Sequence, residues 1–247
     1  MLLPGTPSDE VAPVLAEGRG DITTLFVSMA TRHPDGSDAE YLRWHTLDHR
    51  PEQHRLSAVR ASMRIVSTPE CRSARAAGSG RYDAIDHVMT YFFTDVGGME
   101  PFLALSKALG DAGRKLPLLP PVERGVYAVN DKTAAARVKV GADVVPWWPS
   151  QGIYLLLENR AVPADGLAAV DGVAAVWTAT SLPVEPRLAS APAGQALTYC
   201  FLDDDPVTVA ERLVPHLRDR WQEHGVEPLL AAPFYPVVPH QWDRHVP

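Results

Sequence analysis

Segments with β-strand character recur along this 247-residue chain, and helical segments separate them in an order that is repeated. Residues 23–30 are rich in β-branched and aromatic side chains, and residues 59–66 alternate between apolar and polar side chains, as in a half-buried strand. The other predicted strands are residues 87–95, 125–129, 153–158, 173–180, 196–202 and 229–232. Two matching series of elements are hard to obtain by chance, so the pattern predicts an internal duplication.

Helical spacing predicts two helices in each half. The first begins at Asp38, a residue type that favours the N-cap, and runs to His49; Pro51 then either ends it or opens a second short turn. The other predicted helices are residues 99–112, the short segment 165–170, and a long helix between Asp205-Pro206 and Gly225. Each half therefore follows the order βαββαβ.

This order predicts an α+β fold made of two ferredoxin-like βαββαβ repeats. A four-stranded sheet with both helices on one face must have its other face covered. We expect the second repeat to cover it, so that the repeats pack sheet to sheet as an intramolecular α+β barrel with a cavity for a small molecule. The predicted divisions are an N-terminal tail at 1–20, a first repeat at 21–130, a connector at 131–150, and a second repeat with a C-terminal tail at 151–247.

Composition narrows the range of partners. The formal net charge is -7, which argues against nucleic acid because binding to phosphates needs a basic face. No apolar stretch approaches the roughly 20 residues that span a bilayer, and the first residues lack the features of a signal peptide. Cys71 and Cys200 predict buried thiols in a reducing compartment. The prediction is a cytoplasmic protein with a small-molecule ligand and no membrane partner; formation of a homo-oligomer stays open.

Polar chemistry concentrates in residues 43–54, which hold His45, His49 and His54 out of nine histidines in the chain. His45 and His49 are spaced i, i+4 and therefore share one face of the predicted helix. Asp48 and Glu52 repeat that spacing on an adjacent strip. The spacing makes His49 and His45 the candidate catalytic residues.

Four roles for this cluster stay open from the residues alone. His49 could be a general acid or base, because an ordinary imidazole titrates at about pH 6.5. His45 and His49 could bind a metal with Asp48 or His54, or a histidine could ligate haem iron. In the fourth role both residues are structural: His49 stabilises the end of the helix, and Trp44 contributes to packing. The chain carries no GxGxxG motif after a strand, no P-loop, no GxSxG and no HExxH, so the leading hypothesis is chemistry without a cofactor or metal.

Arg60 and Arg64 are candidate substrate-binding residues on the polar face of segment 59–66. If the apolar face packs on the helices, both arginines point into the barrel and could bind a carboxylate, enolate or phenolate. The alternative is an edge strand with its arginines in water. The other candidates for substrate binding are Trp44, Tyr91, Tyr154 and Trp177, for each of which core packing is the alternative.

A resemblance to a known family is carried by residues 41–52 (YLRWHTLDHRPE), followed by residues 59–64 (VRASMR). This region resembles the first helix and second strand of EthD-like proteins of the dimeric α+β barrel superfamily, in which an aromatic-rich helix carries W-[YH]-x-x-[ED]-H-x-P-E before a strand. The likeness covers residues 38–66. The second half has no histidine in the corresponding segment 165–170, so we expect the site in the first half.

The resemblance implies a fold whose members include cofactor-free monooxygenases, polyketide cyclases, dehalogenating and decarboxylating enzymes, and haem-binding enzymes. Because proteins of this fold catalyse many different reactions, the resemblance does not identify the reaction of this chain. The leading hypothesis is a cofactor-independent enzyme that acts on a ring-containing or carbonyl metabolite, with His49 as acid or base and an arginine or His45 stabilising an anion. The alternative is a non-catalytic ligand-binding or assembly protein.

Overall fold

The computed structural model describes residues 4–8, 14, 20–184 and 189–246, so most of the predicted N-terminal tail lies outside the described residues. The strands are β1 (Thr24–Ala30), β2 (Val59–Val66), β3 (Ala77–Gly78), β4 (His87–Phe93), β5 (Pro121–Ala134), β6 (Gly152–Glu158), β7 (Val173–Ser181), β8 (Ala196–Leu202) and β9 (Pro228–Pro236). The helices are α1 (Asp38–Trp44), a π-helical turn (His45–His49), α2 (Arg50–Gln53), α3 (Pro69–Ser73), α4 (Met99–Asp111) and α5 (Pro206–His224). Single 3₁₀ segments lie at Gly80–Ala84, Val96–Gly98, Ala142–Trp147 and Leu167–Ala169.

Eight of these strands form one closed antiparallel barrel. Their order is β2-β4-β1-β5-β7-β8-β6-β9, and the ring closes where β2 pairs with β9. The short strand β3 pairs with β9 on the same edge as β2 does, next to the β2–β9 ladder, because β6 occupies the other edge of β9. Closure gives every strand of the ring two neighbours and so reduces the number of free strand edges, although the closing β2–β9 ladder is only two residue pairs long.

The predicted fold class, two ferredoxin-like repeats packed sheet to sheet as an α+β barrel, is wrong. The halves do not stack as two layers, because β5 forms ladders with both β1 and β7, and β2 pairs with β9. The strands of both halves are thus joined edge to edge in one sheet. The second half also lacks its first predicted helix: segment 165–170 is only the 3₁₀ turn Leu167–Ala169, which begins after Gly166 at a φ of 83°. Glycine at positive φ and Pro163 before it disfavour a longer helix here.

The interior of the barrel is filled by apolar and aromatic side chains, as an eight-stranded barrel allows. Large members of this core are Phe92, Tyr127, Trp177, Tyr199 and Phe201. Two further clusters lie on the outer face, where α5 covers β6 and β8 and α4 covers β1 and β4. Cys71 and Cys200 are buried and free, as the sequence predicted. Among the described residues, no helix combines the length and apolar character that crossing a membrane requires.

Candidate functional site

Residues 38–53 form a nearly continuous helix with a π-helical turn at its centre. The N–H of Arg50 donates to the carbonyl of His45, five residues back. Pro51 explains this turn, because its ring would clash with the carbonyl of Leu47 in a regular α-helix and it has no N–H to donate. The sequence predicted that Pro51 ends the helix or starts a second turn; instead the helix absorbs the proline by widening one turn. Single π turns inside α-helices occur often at functional sites.

This helix packs on the outer face of β2 and β4, and polar side chains fill the contact. We call this layer the polar seam. It consists of Asp38, Tyr41, His45 and His49 from the helix, and Arg64, His87 and Tyr91 from the strands; all seven are buried. The predicted catalytic residues His45 and His49 therefore do share one buried face, and Tyr91 and Arg64 lie opposite them.

The arginines of β2 do not point into the barrel, which was one of the two directions that the sequence left open. Ala61, Met63 and Ile65 line the barrel interior, whereas Arg60 and Arg64 lie outside. The barrel interior is the drier side, so the apolar face of β2 faces inward and the charged face does not. Arg60 is exposed and pairs with Asp21, its Nε lying 2.8 Å from Oδ1. Arg60 is thus separate from the seam, and only Arg64 belongs to it.

His45 is buried in the seam between Tyr91 and Tyr41. Its Nε2 lies 3.4 Å from the hydroxyl of Tyr91, and its ring stacks on Tyr41 with centroids 6.0 Å apart. Burial holds the pKa of His45 well below the ordinary 6.5, and the charges of Arg64 and Arg50 lower it further. Burial also raises the pKa of Tyr91. At neutral pH the pair is therefore an uncharged imidazole beside an uncharged phenol.

His49 lies between His45 and the rim of the seam. Its ring stacks on Trp44 with centroids 5.1 Å apart, and its centroid is 5.6 Å from that of His45. Burial, and next the charge of Lys115, lower the pKa of His49 to about 4. His49 is therefore neutral at pH 7 and can accept a proton but has none to give as an imidazolium.

Asp38 and His87 close the other end of the seam. Nε2 of His87 lies 2.7 Å from Oδ1 of Asp38, which also accepts the backbone N–H of His33. Burial acts to raise the pKa of Asp38, but the hydrogen bonds from His87 and His33 outweigh it and the pKa is lowered. The sequence predicted Asp38 as an N-cap; its carboxylate is instead turned inward, and Ser37 precedes the helix without a capping bond from its side chain.

The adjacent strip of the helix is held by one arginine. Arg114 binds Glu52 and Asp48 through its two terminal nitrogens, at 3.0 and 3.1 Å, and its carbonyl accepts the indole N–H of Trp44 at 3.2 Å. The carboxylates Asp48 and Glu52 therefore serve to fix the helix, and Trp44 forms the rim of the seam beside His49.

Several buried polar atoms along this helix have no hydrogen-bond partner. They are Oδ2 of Asp38, Nδ1 of His45, Oγ1 of Thr46, Oδ1 of Asp48, Nδ1 of His49 and both amide atoms of Gln53; on the facing strands, Nε of Arg64 and Nδ1 of His87 are in the same state. Buried polar groups are nearly always paired, so such a concentration marks a place where a ligand or ordered water completes the bonding. Gln53 was not predicted, although it continues the spacing of His45 and His49 by one further turn and that signal could have identified it.

The remaining predicted lining residues are elsewhere. Tyr154 is buried on the outer face beneath α5, and Trp177 is buried inside the barrel, where its indole N–H donates to the carbonyl of Ala142 at 2.8 Å. Neither is part of the polar seam. Both positions fit the core-packing alternative, because their strands are buried on both faces.

The residues that a metal site would need do not come together. Nε2 of His54 lies 2.7 Å from the hydroxyl of Ser62, and Asp48 is bound to Arg114, so neither faces the space between His45 and His49. In the part of the chain that the structure describes, no three His, Cys, Asp or Glu side chains are grouped to hold a metal ion.

Barrel and seam together define a closed antiparallel β-barrel protein with a buried histidine–arginine layer on its outer face. No family model and no curated protein matches the chain. It is similar to the solved structures of an anthrone oxidase-like protein (12% identity, TM-score 0.45, covering 88% of this chain and 92% of that one). It is also similar to a candidate monooxygenase from Lactobacillus acidophilus NCFM (11% identity, TM-score 0.43, covering 87% of this chain and 94% of that one). A third similar structure is a dye-decolorizing protein from V. cholerae (10% identity, TM-score 0.44, covering 97% of this chain and 96% of that one). Because all three TM-scores are this low, we infer neither fold nor function from these likenesses.

Proposed function

We propose that the polar seam binds a small ring-containing or carbonyl metabolite and that His49 accepts a proton from it. The observation that carries the proposal is the set of unpartnered buried polar atoms beside two neutral imidazoles. A site that only stabilised the fold would leave fewer such atoms unpaired, since each costs about 1–3 kcal/mol.

The aromatic side chains of the seam suit a planar ligand. Tyr41, Trp44 and Tyr91 surround the two imidazoles, and stacked or edge-on ring contacts favour ligands with a flat π-system. Hydrogen bonding from Tyr91 or His45 would then orient a carbonyl or hydroxyl of the ligand.

The chemistry is proton abstraction without a nucleotide cofactor. The proton leaves an acidic C–H or O–H bond of the ligand for the imidazole of His49, which becomes an imidazolium, and the bonding electron pair stays on the ligand as an enolate or phenolate. Arg64 stabilises that negative charge. A pKa of about 4 is low for a base at pH 7, but a negative charge forming nearby raises it during the step.

The test uses the purified protein and 2-naphthol as a neutral ring probe. We expect native mass spectrometry to reveal any metabolite retained from the host, and 2-naphthol to quench tryptophan fluorescence by occupying the seam beside Trp44. His49→Ala should weaken naphthol binding or the retained ligand's binding by more than tenfold, a loss of about 1.4 kcal/mol. His216→Ala is the control, because His216 is exposed on α5. If a folded His49→Ala variant bound 2-naphthol or the retained ligand as tightly as the wild type, the proposal would be wrong.

A further inference from the structure

Arg64 carries a buried charge that no carboxylate of the described residues neutralises. The residue is only 6% exposed, and its Nε is buried without a hydrogen-bond partner. Its guanidinium lies 5.3 Å from the centroid of the Tyr41 ring, a cation–π contact. No carboxylate among the described residues forms an ion pair with it. A cation–π contact is worth about 0.5–2 kcal/mol, which is less than the several kcal/mol of removing an ion from water.

Two other buried arginine side chains of the protein have a carboxylate partner, which Arg64 lacks among the described residues. Arg220, 7% exposed, binds both carboxylate oxygens of Glu158. The side chain of Arg75, 5% exposed, lies 3.4 Å from Asp83 and 3.9 Å from Asp86. This protein therefore supplies a carboxylate where it buries a guanidinium for structural reasons. Arg64 is a departure from that pattern.

The acidic groups near the seam pair with residues other than Arg64, although Oδ2 of Asp38 and Oδ1 of Asp48 are themselves buried without a hydrogen-bond partner. Asp38 is bound to His87, and Asp48 and Glu52 are bound to Arg114. Arg50, half-buried next to His49, adds a second guanidinium without an ion-pair partner among the described residues. Burial lowers the pKa of Arg50, and the charge of Arg64 contributes to that shift. Two guanidinium groups thus lie beside neutral imidazoles, and the carboxylate of the seam, Asp38, is hydrogen-bonded to His87 and forms no ion pair with either guanidinium among the described residues.

We infer that the seam binds its ligand as a carboxylate, with the carboxylate on Arg64 and the ring against Tyr41 and Trp44. The inference rests on the proposed function and adds the substrate class: a cyclic or aromatic carboxylic acid in its ionised form. A planar guanidinium matches a carboxylate with two parallel hydrogen bonds, which an ammonium cannot do. Arg50 provides the second positive charge, and the ligand supplies the carboxylate partner that Arg64 lacks among the described residues.

The experiment compares benzoate with benzamide, which has the same shape and no charge. Binding is measured by calorimetry at constant ionic strength to the wild type, to Arg64→Met and to Arg64→Lys. Arg60→Met is the matched control, because Arg60 lies on the same strand and face but is exposed and paired with Asp21. We expect benzoate to bind the wild type and Arg60→Met at least tenfold more tightly than benzamide. Arg64→Met should lose this preference, and Arg64→Lys should keep only part of it.

Thermal unfolding separates a binding role from a structural one. Removing an unpaired buried charge should leave the melting temperature of Arg64→Met unchanged or higher without ligand, whereas loss of a structural contact would lower it. Equal binding of benzoate and benzamide by the wild type, or an unchanged preference in Arg64→Met, would overturn the inference. If His49-dependent binding of 2-naphthol persists in that case, the proposed function stands and only the substrate class is wrong.

Discussion

Nε2 of His87 lies 2.7 Å from Oδ1 of Asp38, and neither side chain has any exposed surface. The contact joins the first residue of α1 to the first residue of β4. The helix that carries His45 and His49 is thereby attached to the barrel at its N-terminal end, while Arg114 holds its other strip. The two contacts fix the position of the seam between them.

Asp38→Ala should destabilise the protein by about 3 kcal/mol, because it leaves His87 buried without its partner. Glu40→Ala is the matched control: Glu40 lies in the same first turn but is exposed, so its loss should change the free energy of unfolding by less than about 0.5 kcal/mol. Urea unfolding at pH 7.5 measures both. Equal stability of the two variants would show that the buried pair does not anchor the helix.

The stability of the protein should fall as the pH drops from about 7 to about 4. An unfolded histidine titrates near pH 6.5, but the pKa of folded His49 is about 4. Between these values the unfolded chain binds more protons, so acid favours unfolding, by up to about 3 kcal/mol for this residue. Lys115, Arg64 and Arg114 disfavour the protonated form, and Asp48 opposes them.

Removing the imidazole should therefore flatten the pH dependence. At pH 7.5 the melting temperature of His49→Ala should differ little from that of the wild type. At pH 5 the wild type should lose more of its stability, so the melting temperature of the variant should rise relative to that of the wild type. His216→Ala, with its exposed imidazole, should follow the wild type. Parallel curves for wild type and His49→Ala would mean that His49 is not buried in its neutral form.

Trp177→Ala tests the assignment of Trp177 to the barrel core. The side chain is 1% exposed and makes edge-on contacts with Phe92 and Phe201, each at 5.9 Å. The substitution should cost about 3–5 kcal/mol of stability and leave the affinity for 2-naphthol unchanged in the folded fraction. Trp147→Ala, at a site 50% exposed, is the control and should have little effect on either. If a folded Trp177→Ala variant lost naphthol binding, Trp177 would have to be counted among the ligand-binding residues.

Pro51→Ala tests whether the π turn positions the histidines. Alanine restores an N–H and removes the ring, so the helix gains up to about 3 kcal/mol of intrinsic propensity as a regular α-helix. Closing the π turn would rotate the part of the helix that precedes it, which ends at His45, relative to Arg50 and Gln53 after it. We expect an unchanged or higher melting temperature with weaker naphthol binding. Pro69→Ala is the control, because Pro69 starts α3, where no N–H is needed.

Alternation of side chains located the strands well but left their assembly open. Residues 196–202 and 59–66 were predicted with the bounds that the structure shows. Side chains that alternate along a strand identify which face of the strand is buried. Two stacked sheets and one closed barrel both bury that face, so the alternation could not distinguish between these two assemblies. The inward direction considered for Arg64 was wrong because it assumed that the apolar face of β2 packs on the helices, whereas that face lies in the barrel interior.

Helical spacing found two of the seven residues of the seam. The i, i+4 relation placed His45 and His49 together, and the same relation extended by one turn would have found Gln53, which is buried beside the seam on the same helix. Asp38 was assigned to capping because its local environment predicts that role, whereas its partner His87 is 49 residues away. Contacts between distant segments depend on tertiary packing, which local patterns do not encode.

The ladder that closes the barrel has only two residue pairs, Ile65 with Pro236 and Val66 with Tyr235. The neighbouring ladder between β6 and β8 runs the full length from Gly152 to Glu158. Local separation of strands costs least where few hydrogen bonds are shared, so the β2–β9 junction should open first and exchange its amide protons fastest. Opening would expose two strand edges to other chains in a concentrated solution. The charge of Arg60 on one edge and the prolines of β9 on the other, which cannot donate a ladder bond, would hinder strand addition and so slow aggregation during storage.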